Sequence, residues 1–239
     1  MRSRLRTEIE HGKRISARAK DIWGWGSPSG QRRVKRRIRM IRELLGSQPT
    51  PRVLELGIGV GVFAEQIFSQ TSSFHGVDIC LEHLHQTKKR FKEIRFVQAN
   101  VEELPYLDSS FDFIFGISVM HHLDAAAALR EAHRVLRKGG KLLLTEPNIL
   151  NPQVFVMKKV GFLKPYFGEV SHETAFFKLS LRRLLNDCGF RDIRVENFDF
   201  LHPSIPRSLL DMLEPICILL ERIPLVKEIS GSLIISGEK

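Results

Sequence analysis

Residues 52–61 read Arg-Val-Leu-Glu-Leu-Gly-Ile-Gly-Val-Gly. Val53, Leu54 and Leu56 make a short apolar run suited to a central parallel strand buried on both faces. Glu55 sits in that run, and three glycines, Gly57, Gly59 and Gly61, follow at alternate positions. Glycine lets the backbone turn sharply and approach a ligand closely, so the stretch reads as the strand-to-helix loop that holds a nucleotide-type ligand in an open α/β sheet. A helix is expected over 61–70, carrying Val62, Phe63, Ile67 and Phe68. Dinucleotide loops read G-x-G-x-x-G, and here the third glycine comes too early, with Val62 behind it. A carboxylate at the strand end also repels a pyrophosphate and favours a cationic ligand.

Phe74-His-Gly-Val-Asp78 is a second short strand ending in an acid. An acid about 20 residues beyond the glycine loop is placed to bond ribose hydroxyls; its plainer alternative is a helix cap before Leu81. A ribose-bearing ligand with an ammonium and a sulfonium is S-adenosylmethionine, which fits Glu55 where NAD does not.

The chain resembles the class I S-adenosylmethionine-dependent methyltransferases of the type 11 group, which includes quinone-biosynthesis methyltransferases. The resemblance covers about residues 50–147 and is carried by the glycine loop, Gly76-Val-Asp78, Ala99-Asn-Val-Glu-Glu-Leu-Pro-Tyr106, Phe111-Asp-Phe-Ile-Phe-Gly116, Met120-His-His-Leu123 and Leu136-Arg-Lys-Gly-Gly-Lys-Leu142. It implies that Asn100, where the family usually has an aspartate, accepts a bond from the adenine amino group through its amide oxygen. It implies adenine stacking by Ile79 and backbone contacts from Val101. It also implies that the last strand runs antiparallel to the others, and that a helix preceding the glycine loop covers the cofactor, with Trp25 in the lid.

The 239 residues suffice for one substantial core, and 43% hydrophobic content suits a globular domain. The formal charge of +10 is unevenly placed. Residues 1–45 hold 14 Lys or Arg against 4 Asp or Glu, and the remaining residues hold 23 of each. Such an arm suits phosphates of nucleic acid, anionic lipid headgroups or a phosphorylated substrate, or it is simply a solvated helix face. Trp23-Gly-Trp-Gly-Ser-Pro-Ser-Gly30 divides it as a loop. Val34, Ile38, Ile41 and Leu45 then recur at helical spacing. The expected organisation is a basic helical arm and lid over 1–45 and a methyltransferase domain over 46–239, with lid insertions at 149–175 and 198–229.

Alternating elements complete the fold class: a Rossmann-like doubly wound α/β domain with a mostly parallel seven-stranded sheet and helices on both faces. Strands are expected at 52–56, 74–78, 94–98, 112–117, 141–146, 190–197 and 232–236. Helices are expected at 81–91, 124–137 and 179–188, with Asp124 opening the second and Gly139-Gly140 ending it. Residues 149–175 read as a long irregular lid. The apolar stretch 198–229 reads as buried packing, with an acceptor pocket, a dimer surface or membrane docking as functional alternatives.

Ligands of open α/β sheets lie beyond the carboxyl ends of the strands. There the chain carries Ser118-Val-Met-His-His122 and Glu146-Pro-Asn148. An Asn/Asp-Pro-Pro-aromatic motif, common in methylation of amide or base nitrogens, is absent. Histidine can take a hydroxyl proton at neutral pH, which makes His122 the first candidate for a base and His121 the second. Glu146 is a candidate for orienting the acceptor, and His172 and Glu173 for touching it; each also has a structural reading as cap or packing. Cys80, Cys188 and Cys217 fit neither a disulfide framework nor a zinc spacing, so no metal is expected. With no long apolar run or secretory segment, a cytoplasmic protein is expected, peripheral at a membrane if the arm meets lipid.

The sequence thus points to a methyltransferase acting on a small-molecule or lipid-linked acceptor, with oxygen as the preferred atom. A nucleic-acid methyltransferase using the arm and a non-catalytic cofactor-binding partner protein are the alternatives. Oligomeric state is open.

Overall fold

The computed structural model describes residues 2–46, 51–159 and 173–239. His172 and the part of the expected lid over 160–172 lie outside the described residues.

The basic arm folds as three helices: α1 (Arg2–Ile15), α2 (Ala19–Ile22) after a single 3-10 turn, and α3 (Pro28–Leu45). Ser27 starts α3 with its hydroxyl accepting from the Gly30 N–H at 2.9 Å, and Pro28 occupies the first turn, where its missing N–H costs nothing. Among the described residues seven strands form one sheet in the order β3-β2-β1-β4-β5-β7-β6. They are β1 (Arg52–Leu56), β2 (Ser73–Asp78), β3 (Arg95–Gln98), β4 (Phe111–Ile117), β5 (Leu136–Pro147), β6 (Arg191–Phe198) and β7 (Ser232–Glu238). The first five are parallel, and β7 inserts antiparallel between β5 and β6, as the resemblance implied.

The pleat sends alternate side chains to opposite faces. Val53 and Leu143 join Ile38 and Ile41 of α3, Ile67 of α4 (Ala64–Ile67) and Leu84 of α5 (Leu81–Arg90). Leu54 and Leu144 instead join Leu129 of α6 (Ala125–Val135) and Leu185 of α8 (Lys178–Asp187). The sheet is therefore covered on both sides, and the apolar spacing of α3 is a core stripe.

Four elements differ from expectation. The helix after the glycine loop shrinks to α4 and a 3-10 turn, because Gly61 adopts φ 72° and its N–H closes a turn onto the Ile58 carbonyl at 2.9 Å. Asp124 does cap α6 by accepting from the Ala127 N–H. That helix ends at Val135, however, and Gly139-Gly140 lie inside β5, whose first residue, Leu136, is fully buried and pairs with Phe111 ahead of a register shift. Residues 149–159 are not wholly irregular, since α7 (Pro152–Lys159) forms there. The last difference is α9 (Arg207–Leu220). Its apolar residues were expected to be buried, yet Leu210 alone among its residues is. The acids of the helix and its cap are what meet α3: Arg32 binds Asp211 at 3.0 Å and Glu214 at 3.1 Å, and Arg36 grips Glu221, which leaves the apolar stripe outward.

Candidate active site

The carboxyl ends of β1, β2 and β4 open into a cavity of about 870 Å³. The glycine loop forms its floor and α1, the 23–27 loop, α7 and residues 199–204 form its walls. That volume suits a cofactor together with a small acceptor group.

Gly57, Gly59, Asp78, Ile79, Asn100 and Val101 line the end nearest the loop. Gly57 and Gly59 have φ of 63° and 52°, conformations that side-chain-bearing residues rarely adopt. The buried Asp78 carboxylate braces the loop, accepting from the Gly59 N–H with one oxygen and the Cys80 N–H with the other, both at 2.8 Å. Each oxygen keeps a lone pair able to accept from a ligand hydroxyl. Asn100 likewise uses its amide oxygen to accept from the Glu102 N–H at 3.1 Å and can accept once more.

Glu55 and Gly61 do not line the cavity. Gly61 faces Thr87, whose methyl a Cβ would meet at 2.6 Å, so its glycine serves close packing of α5. Glu55 lies buried in β1 beside Gly76 and Phe115, with one carboxylate oxygen unpartnered. Burial, aided by the Asp78 charge, raises its pKa well above the ordinary value. The charge expected to favour a cationic ligand is therefore not presented to the cavity by Glu55: the side chain is enclosed in the sheet, and burial favours its neutral form.

Trp25 lines the cavity but is held on its other side, edge-on to Phe63 at 5.4 Å and beneath the Arg33 and Arg37 guanidinium groups at 5.1 and 5.2 Å. Trp23 is the ring set against the glycine loop: a Cβ on Gly59 would lie 3.0 Å from it. Trp25 was expected in the lid and does line the cavity, but Trp23 is the ring that meets the glycine loop. Above them α1 crosses the cavity, with Gly12 close against Cys80 and Leu5, Glu8, His11 and Ile15 in the wall. Arg4 pairs with the buried Glu102, Glu8 with His122 at 3.2 Å and Lys13 with Glu82 at 3.6 Å, fastening α1 to the body.

The other end of the cavity holds the two histidines. At the end of β4, Ser118 takes a left-handed φ of 56°, and the 3-10 turn Met120–His122 follows. Glu146, fully buried on β5, fixes that turn: one oxygen accepts from the Val119 and Met120 N–H groups at 3.0 and 2.8 Å, and the other meets His121 Nδ1 at 2.8 Å. Because Nδ1 faces a carboxylate it carries the proton, which leaves Nε2 with the lone pair. Burial, reinforced by neighbouring His122, pushes the His121 pKa down to about 4 against the pull of Glu146. For His122, burial opposes the charge, but the bond to Glu8 and the charges of Glu173 and Glu8 prevail and raise its pKa.

Glu173 joins the pair, 3.9 Å from His121 Nε2 and 3.6 Å from His122 Nδ1, while accepting from the buried Lys158 Nζ at 2.6 Å. These two histidines and Glu173 offer donor atoms within 4.8 Å of one another, a spacing open to a metal ion, but Lys158 already supplies a cation to that carboxylate. Asn148 is structural: its amide donates to the Glu228 and Ser230 carbonyls at 2.8 Å. Lys158, on an unforeseen helix, gave no motif signal.

Comparison with known proteins agrees with this geometry. A methyltransferase-domain family matches residues 54–144. The ubiquinone/menaquinone biosynthesis C-methyltransferase of a Shewanella species is 35% identical over 184 residues, covering 65% of this chain and 72% of that protein. A probable S-adenosylmethionine-dependent methyltransferase of Mycobacterium tuberculosis is 31% identical over 160 residues, and the alignment covers 66% of this chain but 56% of the relative. The chain therefore spans little more than half the length of some curated relatives. Among solved structures, a Haemonchus contortus phosphoethanolamine N-methyltransferase bound to S-adenosylhomocysteine shares the fold, with TM-score 0.66 and 19% identity, over 97% of this chain and 59% of that one. With its glycine loop, acid-ended second strand and seven-stranded sheet, the chain belongs to the S-adenosylmethionine-dependent methyltransferases.

Proposed function

We propose that this chain methylates a hydroxyl-bearing, small-molecule or lipid-linked acceptor, with His121 as the base and Glu146 as its positioning residue. The observation that carries the reading is the 2.8 Å contact of Glu146 with His121 Nδ1. S-adenosylmethionine supplies an electrophilic methyl group on a sulfonium and leaves as the neutral thioether. The protein's part is to align the acceptor, exclude water and remove a proton. His121 Nε2 takes the hydroxyl proton as the carbon–oxygen bond forms, and Glu146 stabilises the resulting imidazolium without being protonated itself. His122, tied to Glu8 and proton-retaining, suits a supporting role better than that of base.

Val154, Met157 and Leu201 give the acceptor end an apolar wall, which supports a lipophilic acceptor. Arg4, Arg32, Arg33, Arg36 and Arg37 of the arm are engaged with acids of the body, which supports a fastening role for the arm over nucleic-acid binding.

A second reading follows from the Shewanella relative, which is named a C-methyltransferase. Deprotonating a phenol also activates its ring carbons, so the same base would serve carbon transfer. Incubation with methyl-labelled S-adenosylmethionine and hydroquinones with or without an isoprenoid tail tests both. Nuclear magnetic resonance would report an O-methyl product on the first reading and a C-methyl product on the second, with His121→Ala slow in either case. Methylation of amines alone would contradict both.

A further inference from the structure

Helix α9 is amphipathic the wrong way round for a helix of a self-contained globule. Leu209, Met212, Ile216, Leu219 and Ile223 follow one another at three- and four-residue steps along α9 and the turn after it, so they form one stripe. All five are exposed, Met212 and Leu219 by more than half. Beyond them Leu225 is 84% exposed. Monomeric proteins rarely leave contiguous apolar surface of this kind uncovered unless it meets a partner or a membrane.

The charges say which. The acids of α9 and its cap, Asp211, Glu214 and Glu221, are engaged by Arg32 and Arg36 of α3. Arg207 and Arg222, exposed at the two ends of the helix, have no ion-pair partner among the described residues. The outward stripe carries no charge and is bracketed by free cations, a composition complementary to anionic headgroups over an acyl layer. A second copy of the chain, meeting this face two-fold, would bring these arginines together with no free acid of α9 to receive them.

The stripe also connects with the acceptor cavity. Residues 199–204 in the cavity wall lead into α9, and Gln153 of α7 contacts His202 at 2.8 Å. On α7 itself Val154 and Met157 line the cavity while Phe155 and Val156 are exposed. Asn151 donates to the Ile229 carbonyl at 2.8 Å, joining the start of α7 to the segment after α9.

We infer that the α9 stripe docks the protein on an anionic lipid bilayer, with the exposed Phe155 and Val156 of α7 as a second apolar contact, and sets the acceptor cavity beside the membrane. The biological purpose rests on the proposed lipophilic acceptor; the docking itself rests on α9. No helix among the described residues is long and apolar enough to cross a membrane, so the attachment is interfacial.

The test is co-sedimentation of the full chain with phosphatidylcholine vesicles with and without phosphatidylglycerol. The expected result is binding that needs the anionic lipid and weakens with salt. The double variant Met212→Ser/Leu219→Ser should weaken binding about tenfold or more, as expected for removing two large apolar groups from the acyl layer. Arg207→Ala/Arg222→Ala should reduce the preference for anionic lipid. S-adenosylmethionine affinity and melting temperature should stay at wild-type values in both. Failure to sediment, or undiminished sedimentation of the Met212/Leu219 variant, would overturn the docking surface. So would a concentration-dependent dimer that this variant dissociates, which would assign the face to a second copy. Retained cofactor binding in any of these outcomes leaves the methyltransferase reading standing.

Discussion

The Glu146 carboxylate holds His121 Nδ1 at 2.8 Å while receiving the backbone N–H groups of the turn on which His121 sits. One buried acid on β5 thus sets both the position of the histidine and its tautomer. Removing the imidazole in His121→Ala should lower kcat by about 10²- to 10⁴-fold, the usual worth of a positioned base, with S-adenosylmethionine affinity nearly unchanged. Glu146→Gln should lower kcat with a smaller change in KM. Full turnover of His121→Ala at saturating acceptor would remove it as the base.

The two histidines can be told apart by pH. His121 has its folded pKa depressed to about 4, from an ordinary 6.5, in a setting of Glu8 and His11 on α1, Glu146 on β5, Lys158 on α7, His122 and Glu173. A base at His121 stays available down to about pH 5 and is lost towards pH 4. If His122 were the base, its raised pKa would put the acid limb of kcat above 6.5. The stability signs are opposite as well. His121 contributes fully above 6.5 and less as pH falls towards 4, because the unfolded chain takes the proton first; His122 contributes below 6.5 and less as pH rises through its folded value.

Gly57 links the two halves of the site. A Cβ there would stand 2.6 Å from Val119 Cγ2, and the Val119 N–H is one of the groups held by Glu146. Gly57→Ala also forces a side chain on a φ of 63°. The expected cost is about 1–3 kcal/mol of stability, with losses in both cofactor affinity and kcat. Calorimetric titration alongside steady-state kinetics would reveal whether the two fall together.

Arg37 is a buried cation whose removal from water is offset by Asp199 at 2.7 Å and by the faces of Trp25 and Phe198 at 5.2 and 4.9 Å. Burial nonetheless pulls the Arg37 pKa down to about 10. On the acid, burial is outweighed by Arg37 and Arg33, which lower Asp199 to about 2. Asp199→Ala should destabilise by about 3–5 kcal/mol by stranding that cation, measurable by urea denaturation. The wild-type contribution of Asp199 is present above the ordinary carboxylate value of 3.8 and lost as pH falls towards 2.

The loop end of the cavity was legible in sequence where its geometry is local: Gly57 and Gly59 in one turn, then Asp78 at the next strand end, all line it, whereas Glu55 and Gly61 of the same motif face the sheet and α5 instead. The acceptor end was half legible. His121, His122 and Glu146 stood out by position after strands, but their ranking depended on partners far along the chain, Glu146 for one histidine and Glu8 for the other. Helix α9 was misjudged because its composition resembles a core helix; the arginines of α3 that claim its acids are about 180 residues away. Gly139-Gly140 misled for a related reason, since the pairing of Leu136 with Phe111 outweighed the local stop signal. Trp23 and Trp25 share one motif, and only the approach of one ring to Gly59 separates them.

The most direct measurement is calorimetric titration of the wild type, Asp78→Ala and His121→Ala with S-adenosylmethionine. Saturable binding to the wild type is expected, with a loss of about tenfold or more in Asp78→Ala, where the acceptor oxygens facing the cavity and the brace on Gly59 are gone, and wild-type affinity in His121→Ala. No binding to the wild type, or equal binding by Asp78→Ala, would contradict that expectation.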